Sequence, residues 1–329
     1  MFNTLNFLAI NRSIKLLPIK PKPPVTIIFF INLIIFTLVE SISIVEYTYR
    51  MSISRQNLSV IIVSFKSDKV IHDCIRSIDS EIEIIVIDNS NNKDFKEIIE
   101  KKYENVRCIL SEQNIGMGAG NNLGIKNIKS DFALILNPDV ILDPNSIDNL
   151  IKESQKIDNF GLIAPMEINQ DYPNYKLRDN FNNSLNGTDP FEVKSVDGYA
   201  MLLNIKRLNQ INEFYYFDEN IFMYLENDDL CKRIIEKNEK IYVIPKSKVK
   251  HLGGKAVNIN YNDEIELSRN WHWIWSKFYF NKKHNGYIFA VINGFPTFFS
   301  SICKFFFFLM INNKKKKQVY LMRLKGFIC

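Results

Sequence analysis

The sequence predicts an α/β fold: a mostly parallel sheet flanked by helices, followed by a C-terminal helical segment associated with a membrane. Three observations carry this. Short continuous apolar runs, typical of strands buried on both faces, recur between residues 58 and 137. Segments with helical spacing separate them, the alternation expected of βαβ units. Near the C-terminus a long apolar stretch lies between two basic flanks.

The elements follow in order. LSVIIVSF (58–65) is the first strand, and in 68–78 Val70, Ile71, Cys74, Ile75 and Ile78 share a helical face. EIIVIDN (83–89) is a second strand, 94–103 a second helix and VRCILSE (106–112) a third strand. A glycine-opened helix over 116–128 leads to FALILN (132–137), and Pro144 stands near the first turn of a helix over 144–157. The second half is less regular. Residues 160–168 and 199–208 read as strands, separated by a polar, Asn-rich loop over 169–192. A helix over 227–238, a strand over 240–245, a turn closing VKHLGG (249–254) and an aromatic helix over 266–280 complete this part. The apolar stretch 287–311 is broken by Gly294-Phe295-Pro296 and by Lys304. Lys282 and Lys283 precede it and Lys314 to Lys317 follow it. Two basic flanks argue against a simple span and for an interfacial or re-entrant segment on the cytoplasmic leaflet, held by apolar burial and anionic lipid.

Bulk properties bound the function. The net charge is +6, too weak for nucleic acid to be the main partner. Five scattered cysteines without CxxC spacing argue against a disulfide framework or zinc site and fit a reducing compartment. The chain divides into an apolar N-terminal extension (1–50), a catalytic domain (51–262) and a helical, membrane-associated region (263–329). In the extension, Val25 to Val39 falls short of the ~20 apolar residues that span a bilayer. Three readings fit the extension: a signal-like segment, a peripheral anchor, or residues outside the natural protein, in which case Met51, just ahead of the first strand, is the natural start of translation. N-terminal peptide mapping tests the last reading: peptides from 1–50 in the natural protein would contradict it.

Four clusters could carry chemistry. Asp88 and Asn89 end the second strand, and ligands of open α/β sheets bind outside strand carboxyl ends. There Asp88 can accept hydrogen bonds from a base or ribose, or serve as a turn aspartate. The run NIGMGAGNNLG (114–124) opens a helix whose N-terminus favours a diphosphate, or is a plain glycine-rich turn. In NPDV (137–140), Asp139 is placed to ligate Mg²⁺ or Mn²⁺, and His251 could complete that site. Glu226, Asp228 and Asp229 begin a helix in ENDDLCKR. Carboxylates this close cannot all ionise freely, so one is expected with a raised pKa suited to a base.

The ordered set VIIVSF, VIDNS, NIGMGAGNNLGI, LNPDV, VDGYAMLL, FDENIFMYLENDDLCKR, VKHLGG and SRNWHW resembles the family-2 glycosyltransferases of GT-A fold, a Rossmann-like architecture, and within them the rhamnosyltransferase-like branch. The similarity covers about residues 57–280. It implies an inverting transfer from a nucleoside-diphosphate sugar, and the C-terminal apolar segment fits a glycan or polyprenyl-diphosphate-linked acceptor at the cytoplasmic face of the membrane. Ser64, Phe65 and Asp88 would then contact base and ribose. Asn114, Gly116 and Asn121 would lie around the nucleotide, and Asp197 and Gly198 would face a sugar. Asp139 would stand where the family's DxD aspartate binds metal. Two departures matter. DxD is reduced to Asn137-Pro138-Asp139, and the family's Glu-Asp pair is Glu226-Asn227, an amide at the usual base position. The base is then Asp228 or Glu226, with Asp228 favoured. A catalytically silent nucleotide-sugar binding module is the alternative that Asn227 keeps open. A nucleotidyltransferase is a weaker one, because SFKSDK after the first strand lacks glycine.

Overall fold

The computed structural model of the protein describes residues 53–169, 171–178, 187–253 and 262–328. The chain divides at Met51, and the described residues all belong to the unit Ser52–Cys329. The apolar extension expected over 1–50 lies outside them, as does Gly254 of the VKHLGG turn.

Strands β1 (Leu58–Ser64) and β4 (Phe132–Leu136) are buried at every position, which accounts for their uninterrupted apolar sequence. With β2 (Glu83–Asp88) and β3 (Val106–Leu110) they form a parallel half-sheet in the order β3-β2-β1-β4. Helices α1 (Ile71–Arg76), α2 (Lys93–Lys102) and α3 (Gly116–Ile125) connect them. Asn92 caps α2 by accepting from the Phe95 amide, and the helix turns Phe95 and Ile99 inward.

α3 crosses β1 at unusually short range. A Cβ on Gly120 would meet Val63 Cγ1 at 2.8 Å, and one on Gly124 would meet Ile61 Cγ2 at 2.4 Å. Gly120 and Gly124 therefore serve helix-on-sheet packing, while Gly118 makes room for the segment from Phe217 to Ile221. Only Gly116 has a positive φ, 85°, and its missing Cβ makes room for the Phe222 carbonyl.

The parallel order gives way beyond β4. β10 (Ala200–Asn204) lies antiparallel between β4 and β6 (Leu162–Glu167). β11 (Ile241–His251) is parallel to β6 and antiparallel to β5 (Val140–Leu142) and β8 (Phe191–Glu192). The nine-stranded sheet is thus mixed, with α4 (Ser146–Ser154) following β5 and the pair β7 (Tyr175–Lys176) and β9 (Ser195–Val196) forming a small second sheet.

Four sequence expectations need correction. The strand expected over 199–208 stops at Asn204, whose side chain caps the short helix α5 (Ile205–Leu208). The segments 240–245 and 249–254 are one strand as far as His251, continued through an irregularity between Ile244 and Lys248. The loop expected over 169–192 carries β7 and β8. The stretch 287–311 is not broken at Gly294-Phe295-Pro296.

Past α6 (Glu226–Glu236) and β11, three helices end the chain: α7 (Asn262–Asn285), α8 (Tyr287–Met310) and α9 (Lys314–Ile328). Pro296 lies inside a continuous α8, while the turns fall at Gly286 (φ 90°) and Asn312 (φ 53°). Gly294 is a contact position, since its Cβ would come within 3.0 Å of the Phe327 ring on α9. Ile288, Ile292 and Met310 are 75%, 68% and 77% exposed, so α8 presents a bare apolar face. By length and composition α8 could cross a membrane.

The tight α3–β1 contact predicts that Gly124→Ala lowers unfolding stability by about 1–3 kcal/mol through overpacking. Ile61→Ala removes the clashing Cγ2 and should make the further cost of Gly124→Ala smaller than in the parent, so that the two losses are not additive. Urea unfolding of the two single variants and the double variant measures both effects, and an unchanged midpoint for Gly124→Ala would refute the contact.

Candidate active site

The carboxyl ends of β1, β2 and β4 and the start of α3 bring the amino-terminal group of predicted residues together. Ser64 pairs in register with Asp88, and Asn137 and Asp139 follow β4 directly. Gly120 abuts Val63, which sets its neighbour Asn121 beside the end of β1. Asn114 Oδ1 accepts from the Gly116 amide at 3.1 Å, and Asn89 Nδ2 donates to the Gly116 carbonyl at 3.1 Å. The opening of α3 is therefore latched to the end of β2.

Asp88 is buried, and burial raises its carboxyl pKa. Its Oδ1 accepts from the Ser90 amide at 3.2 Å and its Oδ2 from the Asn92 amide at 2.8 Å. Both oxygens thus hold the turn before α2, so Asp88 first shapes the loop beside any ligand. An open cleft of about 590 Å³ lies at this end, between Lys66 and Asp68 on one side and Ser90 to Asp94 on the other. Phe65 is half-buried at the exit of β1. A second cleft of about 640 Å³, lined by Asn122, Tyr215, Asp218, Tyr279 and Lys283 among others, contains none of the predicted residues.

The antiparallel pairing of β5 with β11 sets Val140 opposite His251. This carries His251 Nε2 to 3.4 Å from Asp139 Oδ1, within ion-pair range but misaligned for a hydrogen bond. The imidazole stacks on the Tyr199 ring, with centroids 4.1 Å apart and planes 23° apart. Glu167 Oε2 accepts from the Tyr199 hydroxyl at 3.0 Å and from the His251 amide at 3.1 Å. Tyr199 and Glu167 were not singled out from sequence; only their place beside VDG and at the end of a strand hinted at them.

The start of α6 closes the site. Asn227 Nδ2 donates to the Val196 carbonyl at 2.8 Å, and Gly198 leaves room for Asn227, whose Cβ would lie 3.2 Å from a Cβ there. The amide at the expected base position is therefore a tether between α6 and the Asp197-Gly198 loop. Asp197 is exposed, yet partial desolvation raises its pKa, with Asp228 adding to the rise and Lys176 and His251 opposing it.

The three acids of α6 have separate fates. Asp228 Oδ1 lies 2.7 Å from Lys176 Nζ. Asp229 is fully buried among Arg233 Nε (2.8 Å), Lys283 Nζ (2.5 Å) and His284 Nε2 (2.8 Å), and is committed to holding α6 against α7. Glu226 has no charged partner: its Oε2 is buried without a hydrogen bond, and desolvation, reinforced by Asp228 and opposed by backbone hydrogen bonds at Glu226 and Tyr224, pushes its pKa up to about 7. The two residues before it, Tyr224 (φ 71°) and Leu225 (φ 66°), are both left-handed, a strained entry of the kind found at functional sites.

Buried side-chain atoms without a hydrogen-bond partner concentrate here: Ser64 Oγ, Asn121 Oδ1, Asn137 Oδ1, Asp139 Oδ1 and Glu226 Oε2. Buried polar groups are normally satisfied, so such a set marks a place where polar ligand atoms belong. Among the described residues no group of three or more His, Cys, Asp or Glu is placed to hold a metal ion. Asp139 and His251 bring one carboxylate and one imidazole together. The carboxylate suits Mg²⁺ or Mn²⁺ that takes its remaining oxygens from phosphate and water, and the imidazole, a softer ligand, favours Mn²⁺ of the two.

The glycosyl transferase family 2 model matches residues 59–224. The low-salt glycan biosynthesis hexosyltransferase of Haloferax volcanii is 28% identical over 205 residues, which is 56% of this chain and 64% of that protein. The N-acetylglucosaminyl-diphospho-decaprenol L-rhamnosyltransferase of Mycobacterium tuberculosis is 22% identical over 206 residues, 52% of this chain and 66% of that protein. The chain thus matches just under two thirds of the length of either relative. The crystal structure of GalNAc-T7 with UDP, GalNAc and Mn²⁺ superposes with a TM-score of 0.50 at 15% identity, covering 71% of this chain and 56% of that one. That likeness concerns the fold.

An unsatisfied buried hydroxyl costs about 1–3 kcal/mol. Ser64→Ala is accordingly expected to leave the ligand-free protein as stable as the parent or more stable, by up to about 1 kcal/mol. A clear loss of stability in chemical denaturation would mean that the hydroxyl already has a partner.

Proposed function

The chain belongs to glycosyl transferase family 2, and on that footing we propose that it transfers a hexose-type sugar, rhamnose being one candidate, from a nucleoside-diphosphate donor with inversion at the anomeric carbon. The acceptor in this reading is a hydroxyl of a cell-surface glycan or of its polyprenyl-diphosphate-linked precursor, met at the cytoplasmic face of a membrane. The carrying observation is the set of unsatisfied buried polar atoms on Ser64, Asn121, Asn137, Asp139 and Glu226. The bare face of α8 and the lysines that open α9 support the membrane side, and the acceptor named in the mycobacterial relative supports a lipid-linked substrate.

In this reading Ser64 and Phe65 contact base and ribose, with Asp88 fixing the loop around them. Asn121 and the latched Asn114-Gly116 turn meet the diphosphate, while Asp197 and Gly198 line the sugar side. Asp139 and His251 would hold Mg²⁺ or Mn²⁺. When bound, such an ion neutralises charge on the departing diphosphate. Tyr199 and Glu167 orient the imidazole for that role.

Glu226 takes the role of base in place of Asp228, which is paired with Lys176. Its carboxylate removes the proton of the acceptor hydroxyl. The hydroxyl oxygen bonds to the anomeric carbon from the face opposite the diphosphate, and the bond from that carbon to the diphosphate oxygen breaks. A carboxylate with a pKa of about 7 is matched to proton transfer near neutral pH. Asp228 tunes it electrostatically, and Asp229 belongs to the scaffold.

Glu226→Gln should reduce transfer by about 10²-fold or more while a nucleotide still raises the melting temperature. Asp228→Asn should lose less. Release of nucleoside diphosphate in the presence of acceptor reads both. The base must be ionised, so kcat should climb with pH through about 7 and then level off. Because folding raises this pKa from 4.5, the protein retains the proton longer than the unfolded chain, and stability falls as pH rises through that window. Glu226→Gln should therefore be the more stable protein above pH 7 and gain nothing below pH 4.5. A kcat profile flat between pH 6 and 8 would reject Glu226 as the base.

A further inference from the structure

We propose that Arg269, with His272 and Trp273 on the same side of α7, forms a subsite for the diphosphate group of a prenyl-linked acceptor. The inference rests on the transferase reading above and adds residues that it does not use. At spacings of three and four, these side chains are neighbours on one helical face.

Arg269 is half-buried and makes no hydrogen bond or ion pair among the described residues. A guanidinium removed from water without a partner is costly, so the site calls for an anion. Tyr224, which directly precedes Leu225 and Glu226, packs against Trp273 one helical turn along α7 from Arg269; burial raises the pKa of its hydroxyl, with Arg269 opposing and Glu226 adding to the rise. Arg269 thus lies one turn of α7 from the contact with the segment that leads into Glu226. Trp273 meets the Tyr224 ring edge-on at 5.5 Å and is 43% exposed, a platform suited to a sugar face. The strained Tyr224-Leu225 entry to α6 holds Tyr224 in this place. His272 stacks on Phe222 at 4.3 Å, and its Nδ1 is buried without a partner. Phe222 in turn accepts the Met117 amide at 2.9 Å, which joins this face to the opening of α3.

The surroundings suit an amphipathic ligand. Lys315 Nζ lies 3.3 Å from Glu266 Oε2, so the lysine run that opens α9 sits one helical turn from Arg269 along α7. Just before that run, Phe306, Phe307 and Met310 are exposed at the end of α8. A phosphate at Arg269 and a prenyl chain on these apolar side chains match one molecule better than a soluble sugar.

Every tryptophan of the protein, Trp271, Trp273 and Trp275, is on α7, so intrinsic fluorescence reports on this face. The full chain in detergent is titrated with farnesyl diphosphate and with farnesol. Farnesyl diphosphate should bind saturably, and Arg269→Ala should weaken it by about tenfold or more, with Arg269→Lys in between. Farnesol should bind weakly and be indifferent to Arg269. Equal affinity of Arg269→Ala and parent for the diphosphate, or of the parent for diphosphate and alcohol, overturns the proposal. Sedimentation with phosphatidylglycerol vesicles separates the two phosphate sources. Arg269→Ala should bind them like the parent, whereas replacing Lys314 to Lys317 by Gln should not. A vesicle-binding loss in Arg269→Ala as large as in the lysine variant would assign Arg269 to the bilayer and also overturn the proposal. Circular dichroism confirms that each variant is folded. If no donor yields nucleoside diphosphate with the parent protein, the transferase reading fails, while the titration still decides the Arg269 subsite.

Discussion

A single buried carboxylate organises the site. Asp229 is fully enclosed and meets Arg233 from its own helix and Lys283 and His284 from α7. Arg233 also donates to the Tyr215 and Tyr216 carbonyls, and Lys283 reaches Asp218 at 2.7 Å. Tyr279 adds a hydrogen bond to Asp218 at 3.0 Å. One knot therefore fixes α6, α7 and the loop segment between Tyr215 and Asp218. Removing one partner of such a buried pair is far more damaging than its net contribution suggests, because it leaves the remaining charge unpaired in a poor solvent. The position of Glu226 at one end of α6, and of Arg269 on α7, depends on this arrangement.

Around the knot the protein separates rigid from unsatisfied parts. The half-sheet β3-β2-β1-β4 is closed off by α3 at a distance only glycine permits. At its carboxyl end, several buried polar atoms have no partner and two consecutive non-glycine residues are left-handed. Free energy invested in packing on one side of the sheet sustains desolvation and strain on the other. A site in that condition is organised for a polar ligand before the ligand arrives.

The first half of the fold was legible because parallel strands write themselves as continuous apolar runs. The second half was not. β10 and β11 look like any other apolar run, and only pairing partners far away in the chain decide that β10 runs antiparallel between β4 and β6. Gly294 and Pro296 read as a break because glycine and proline punctuate local structure, yet packing against α9 keeps α8 intact across them. In ENDDLCKR the three acids are indistinguishable by type, and the signal that separates them is the partner. Arg233, one helical turn beyond Asp229, marks that residue as a member of an ion pair, a spacing visible in the sequence. Lys283 and His284 lie much further along the chain and could not be foreseen. The same holds for Tyr199 and Glu167, which matter only because β11 brings His251 to them.

The pairing of β5 with β11 has a consequence for assembly. Asp139 emerges early in the chain and His251 enters on the last strand of the sheet, so the two approach only when a long loop closes. Closure of that loop is slow relative to local helix and strand formation. During synthesis the first half-sheet can form while the carboxylate still lacks its imidazole. The Asp139–His251 pair is thus completed by the strand that also completes the sheet, and a nascent chain ending before β11 has a scaffold in which Asp139 lacks its imidazole neighbour.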